Sequence, residues 1–148
     1  LSEYGFACYR GSEPDRWFDR TFKRAGKVFE YNFGRGAPPL VTPHVDEFGL
    51  VNIPASLYLF SLEGTVGSVS KELFGDPVVR QARRGIDRVV QSDDVLHLWL
   101  HPNNIISRSE LERLKVVFSY IRECADTTNL QIETMEDVAT EFLAKSNE

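Results

Sequence analysis

The hydrophobic pattern of the chain changes period several times. "YGFACY" at 4–9 is a short apolar and aromatic run, the pattern of a buried strand. In "RGSEPDRW", Ser12 can cap a helix and Pro14 suits its first turn. Trp17, Phe18, Phe22 and Ala25 then form a helical stripe, which Gly26 ends. "VFEYNF" reads as a strand and "GRGAPP" as a loop. Prolines and one glycine punctuate the next twenty residues, predicting short extended pieces around 40–45 and 50–53. "SLEGTVGSVSKELFG" predicts a surface loop with a short helix.

The second half is more regular. Asp76 and Pro77 predict an N-cap and first turn, and Val78, Ala82, Ile86 and Val89 carry a helix to about residue 91. In "DDVLHLWLHP", Leu96, Leu98 and Leu100 alternate with His97, Trp99 and His101, and Pro102 follows, so the segment predicts a strand. Ser109 with Glu112 matches a capping box. Leu111, Leu114, Phe118, Ile121 and Ala125 predict the inner stripe of a helix to about residue 125. "LQIET" predicts a last strand. Thr134 with Asp137 predicts a second capping box, followed by a helix with Val138, Ala139 and Phe142 inward. Strands alternating with amphipathic helices predict an α/β fold with mainly parallel pairing. Four to five strands in one domain fit part of a barrel as well as a small open sheet.

Composition narrows the function classes. The chain has 148 residues, 42% hydrophobic, with ten Phe, five Tyr and two Trp, which supports a packed core. A net charge of -5 gives no electrostatic reason to expect nucleic acid or an anionic membrane as partner. No run has the roughly 20 apolar residues of a membrane span, and the N-terminal residues lack a signal-type apolar stretch. Cys8 and Cys124 are the only cysteines. They form no disulfide framework and no zinc site by themselves, and are expected to be buried thiols. These features are compatible with the cytoplasm.

The candidate chemistry centres on "HLWLHPNN". On a helix, His97 and His101 would share a face and could share a zinc ion. On a strand the same spacing separates them by roughly 13 Å, too far for one ion. His101 lies at the strand's C-terminal end, where α/β folds place their crevice or barrel mouth. It is the candidate functional histidine, and His97 is expected to be hydrogen-bonded support. Asn103 and Asn104 either contact substrate or shape the turn. Arg10, at the end of the first strand, can pair with a carboxylate or a substrate group. His44 and Asp46 could form a metal or acid/base pair. Arg80, Arg83, Arg84 and Arg88, with acidic neighbours, read as a solvated helix face. "GRGAP" and "GTVGS" lack the full phosphate-binding patterns, and no serine has a nucleophile-elbow context.

"LHLWLHPNNI", the helix "LERLKVVFSYIRECAD" and "LQIETMEDVA" together resemble the C-terminal half of a polysaccharide deacetylase of the NodB-homology, carbohydrate esterase family 4 type. "YGFACYRG" resembles that family's strand-then-arginine motif, and "GLVNIPASLYLF" its proline-containing middle segment. The likeness runs over most of the chain, and "H-x-W-x-H-P-x-N" with "T-M-x-[DE]-x-A" is its most specific part. It implies a distorted (β/α) barrel and a divalent metal, usually zinc, that activates water against the N-acetyl groups of a polysaccharide. His101 matches the histidine that protonates the leaving amine, and Arg10 the arginine that orients a catalytic aspartate. Trp99 would wall the acetyl group or fill the barrel core, and Asn103 would contact substrate. Amide hydrolysis needs a proton donor for a poor leaving group, and histidine's neutral-range titration suits that work.

The chain departs from the family pattern in three respects. It has no "T-F-D-D"-like aspartate pair, and His44 has no partner at the spacing of the family's metal-binding histidines. After Arg10 stands "GSEP" where the family commonly has "PxG". The reading therefore expects residues 1–148 to be the C-terminal portion of a larger catalytic domain whose other portion carries the metal ligands and base. On that expectation the chain itself binds no metal and associates with itself or with the other portion. The alternatives are a non-catalytic glycan-binding or interaction module of the same descent, and an unrelated α/β domain that binds a small anion through its arginines.

Overall fold

The structure, a computed structural model, describes residues 2–12, 37–60 and 75–146. The helix expected over 12–26, the strand "VFEYNF" and nearly all of the segment 61–75 lie outside the described residues.

Within them the chain is a mixture of helices and short strands. Strand β1 (Cys8–Gly11) pairs in parallel with β3 (Val51–Pro54), in the register Cys8↔Val51 to Gly11↔Pro54. Strand β2 (His44–Val45) lies antiparallel on the other side of β3. Ala55 and Ser56 then lead into β4 (Leu57–Tyr58), which pairs in parallel with β5 (Leu98–Trp99). Val41 bridges to Val95 with N–H···O distances of 2.8 and 2.9 Å. The extended pieces near 40–45 and 50–53 match expectation, and the pairing is mixed, with two parallel pairs beside the antiparallel β2–β3 pair and the antiparallel Val41–Val95 bridge. A barrel is not defined by these strands.

Three helices cover this framework. Helix α1 (Pro77–Val89) starts where Asp76 and Pro77 predict, with the Asp76 carboxylate accepting from the amides of Val78 and Val79. Helix α2 (Arg108–Thr127) is capped two residues earlier than expected. Ser107 and Glu110 make the reciprocal box, because they satisfy the same S-x-x-E spacing as Ser109 and Glu112 and stand where the chain leaves its extended conformation. Helix α3 (Met135–Lys145) has the expected box of Thr134 and Asp137.

Two expected strand segments have no pairing partner among the described residues. Residues 4–7 are not strand; a 3-10 turn occupies Ser2–Tyr4, and Tyr4 and Phe6 are exposed. The ladder begins only where β3 reaches, with Val51 N–H bonded to the Ala7 carbonyl. "LQIET" is not a strand either: Ile132 is 64% exposed and Thr134 serves as the α3 cap. A lone extended segment without a neighbour leaves its backbone groups to water.

The core has two parts. Leu57, Leu59, Phe60, Val78, Ala82, Leu114 and Val117 are buried together, with Leu98, Leu100 and Ile121 packed against them. Val51, Ile53 and Ala139 form the second cluster, joined by Cys8, Met135, Val138 and Phe142. The α2 stripe is therefore Leu114, Val117 and Ile121. Leu111 and Phe118, expected inside, are 43% and 51% exposed. The expected and observed stripes share Leu114 and Ile121, both have helical spacing, and the one that meets α1 and β4 is the one buried. Gly85 lets α1 approach closely: a Cβ there would lie 2.7 Å from Pro38 and 2.9 Å from Leu96.

Polar ties join the parts. Arg113 on α2 donates through Nε to the second Asp76 oxygen at 2.7 Å and through Nη1 to the Leu59 carbonyl at 3.2 Å. Both charged side chains are only 9% exposed. Farther along α2, the Tyr120 hydroxyl donates to Asp87 on α1, which pushes its pKa up to about 12. Arg83, expected to be simply solvated, lies over the Tyr120 ring at 4.9 Å. Cys8 and Cys124 are unpaired and half-buried rather than fully buried. The Cys8 thiol donates to the Met135 carbonyl, and burial pushes its pKa up.

Candidate functional site

Strands β4 and β5 have the same local pattern. "SLYL" at 56–59 runs beside "HLWL" at 97–100, with Leu57 opposite Leu98 and Tyr58 opposite Trp99. Alternation sends the leucines one way and the aromatics the other. The leucines join the helix-covered core, and Tyr58 and Trp99 meet on the opposite face.

There Tyr58 stacks on Trp99 with ring centroids 4.2 Å apart and planes inclined by 29°. The Arg10 guanidinium lies 3.8 Å from the Trp99 ring centre. Two groups that close cannot share one face of an indole, so Trp99 is sandwiched between Tyr58 and Arg10. His101 meets Trp99 edge-on at 5.2 Å and 87°, and Tyr58 at 5.9 Å and 66°. Arg10 from β1 and His101 from the end of β5 are thus gathered on one indole. Both are exposed, whereas Tyr58 and Trp99 are half-buried.

Trp99 thus holds Arg10 and His101 against its ring system. Its Nε1 is buried without a hydrogen-bond partner, as is Asn52 Oδ1, which lies where a Cβ on Gly11 would collide with it. Unpartnered buried polar atoms are uncommon, and these two flank the Arg10–Gly11 end of β1.

His97 has the supporting place expected for it. Its Nδ1 lies 3.2 Å from the Ile53 carbonyl and 3.1 Å from that of Pro54. Carbonyls only accept, so Nδ1 carries the proton. The His97 amide donates to Ser56 Oγ at 3.0 Å. Burial pushes the His97 pKa below its ordinary value, the nearby Arg10 charge adds to this, and the two carbonyl contacts oppose it. His97 therefore joins the end of β3 to β5 as a neutral group.

Asn103 is exposed, and the turn is shaped by its neighbour. Asn104 Nδ2 donates to the Tyr58 hydroxyl at 2.6 Å, and its amide donates to the His101 carbonyl at 3.0 Å. Sequence reasoning missed Tyr58. The available signal was the repeated Leu-aromatic-Leu pattern of two strands about 40 residues apart.

His44 lies close enough to Asp46 for its charge to help lower the Asp46 pKa, while the larger effect comes from backbone amides. Asp46 Oδ1 accepts from the amides of Phe48 and Leu50, both at 2.9 Å, which holds its pKa below the usual carboxylate value and closes the turn at Gly49. Gly49 has φ +76°, a conformation that favours glycine. His44 is exposed on β2. Among the described residues no group of three or more His, Cys, Asp or Glu could hold a metal ion. None of their helices is long and apolar enough to cross a membrane.

No protein-family model, curated protein or solved structure matches the chain.

Proposed function

We propose that this chain belongs to a hydrolase acting on carbon–nitrogen bonds other than peptide bonds. More particularly, its site serves the deacetylation of an N-acetylated polysaccharide. The observation that carries the reading is the convergence of Arg10 and His101 on Trp99. Two separated segments supply the cation and the histidine that the resemblance assigns to this chemistry.

In the step assigned to the chain, a water oxygen adds to the acetyl carbon and the carbon–nitrogen bond then breaks. The electron pair leaves with nitrogen, and the His101 imidazolium delivers the proton that makes the amine a viable leaving group. Arg10, its guanidinium 3.8 Å from the indole centre, has the part the resemblance gives it, orienting the carboxylate of a base. The resemblance also implies a divalent metal, usually zinc, and the described residues do not offer a ligand set that fits one. Activation of the water thus requires ligands and a base from outside the described residues.

The test is acetate release from an N-acetylated glycan by the protein that contains this chain, with zinc content measured in parallel. His101→Ala is expected to lower kcat by roughly 10²–10⁴-fold. An unchanged rate removes His101 from the role. Glycan binding without acetate release would instead favour the non-catalytic module.

A further inference from the structure

We infer that Tyr58 and Asn104 act together as positioning residues that set the orientation of His101. The inference deepens the deacetylase reading and rests on it for the catalytic consequence. The geometry is a closed ring of contacts. The Tyr58 ring meets that of His101 at 5.9 Å and 66° and stacks on Trp99, which itself meets His101 at 5.2 Å. The Tyr58 oxygen accepts from Asn104 Nδ2 at 2.6 Å. Asn104 closes the turn by donating its amide to the His101 carbonyl at 3.0 Å, and the Ile105 amide bonds the Pro102 carbonyl at 3.1 Å. His101 is thereby held from both sides, its ring by two aromatics and its backbone by a turn anchored to one of them.

This arrangement answers a physical need. His101 is exposed, and no hydrogen bond from its ring to a described residue defines its rotamer. An exposed imidazole on a strand end has free rotamers unless its neighbours restrict them. A proton donor must hold its reacting atom close to the leaving nitrogen, and small misplacements cost large factors in rate. Tyr58 supplies a flat wall for the ring. Asn104 fixes where the wall's polar tip sits relative to the His101 backbone. Either residue alone leaves one side of His101 unset, so their effects should not add.

The experiment uses the imidazole signals of the protein in proton–carbon NMR spectra. The chain has three histidines, so His101→Ala assigns the signal of interest. Tyr58→Phe keeps the stack and removes the oxygen, and Asn104→Ala removes the donor. Each variant is expected to keep the wild-type circular dichroism, to shift and broaden the His101 ring signals, and to leave those of His44 in place. The double variant should look like either single one. His101 signals unchanged in both folded variants would overturn the inference. In acetate release, both variants should lower kcat roughly 10- to 100-fold, with KM little changed and an altered pH profile of kcat. A fall in stability with an unaltered pH profile would mean packing alone and would also overturn it. If the wild type releases no acetate, the deacetylase reading fails while the imidazole spectra still decide the positioning.

Discussion

The two faces of the β4–β5 pair are built from one alternating pattern and do opposite things. Leu57 and Leu59 are buried in the core that α1 and α2 share, with Leu98 and Leu100 packed half-buried against it, where shape and volume matter most. Tyr58, Trp99 and His101 stay half-buried or exposed on a face that Arg10 and Asn104 share. The difference teaches where this molecule keeps its stability and where it keeps its chemistry. Aliphatic side chains carry no directional groups and fit a core of any orientation. Aromatics present flat faces and definite edges, and so can hold a cation and an imidazole at set angles.

The comparison is broken most severely from the aliphatic side. Leu57 is 2% exposed, and Leu57→Ala should cost about 2–5 kcal/mol in urea denaturation, through lost burial and a residual cavity. A cost below about 1 kcal/mol would mean that this face is not the anchor. A smaller effect is expected at His97, on the parity of the aromatic face but bonded inward. Its folded pKa lies below the ordinary 6.5, so the unfolded chain binds the proton more readily. The stability it contributes is present above about pH 6.5 and is lost as pH falls through the lowered folded value. Urea midpoints should drop over that range in the wild type and less so in His97→Gln. Equal acid sensitivity would assign the loss to other groups. The smallest effect belongs to His101→Ala, which should move the unfolding free energy by no more than about 0.5 kcal/mol, because an exposed side chain gives up little on removal. A large destabilisation would merge the two faces into one structural unit.

Much of the framework was legible because it depends on local rules. The Asp76–Pro77 helix start, the Thr134–Asp137 box and the strand alternation around Trp99 each follow from neighbours within a few residues. The failures involve choices that only tertiary contact decides. Helix α2 packs Leu114 and Ile121 inward as expected, but the position of α1 and β4 selects Val117 over Leu111 and Phe118 to complete the stripe. "LQIET" has strand composition but no neighbour to pair with among the described residues. At the site, His101 and Arg10 were visible as reactive types near strand ends. The stacking of Tyr58 and Arg10 on Trp99 and the hydrogen bond from Asn104 to Tyr58 were not, since each depends on which segment lies across the strand.

The Asp76 carboxylate has a consequence for how the molecule opens. One oxygen holds the first amides of α1, and the other holds Arg113, which also grips the carbonyl just beyond β4. Helix start, neighbouring helix and strand end are knotted at a single buried group. A fluctuation that frees any one of them strands a charge away from water, a cost large enough to suppress partial release. Breathing motions in this quarter of the molecule are therefore collective: the three elements let go together or stay closed.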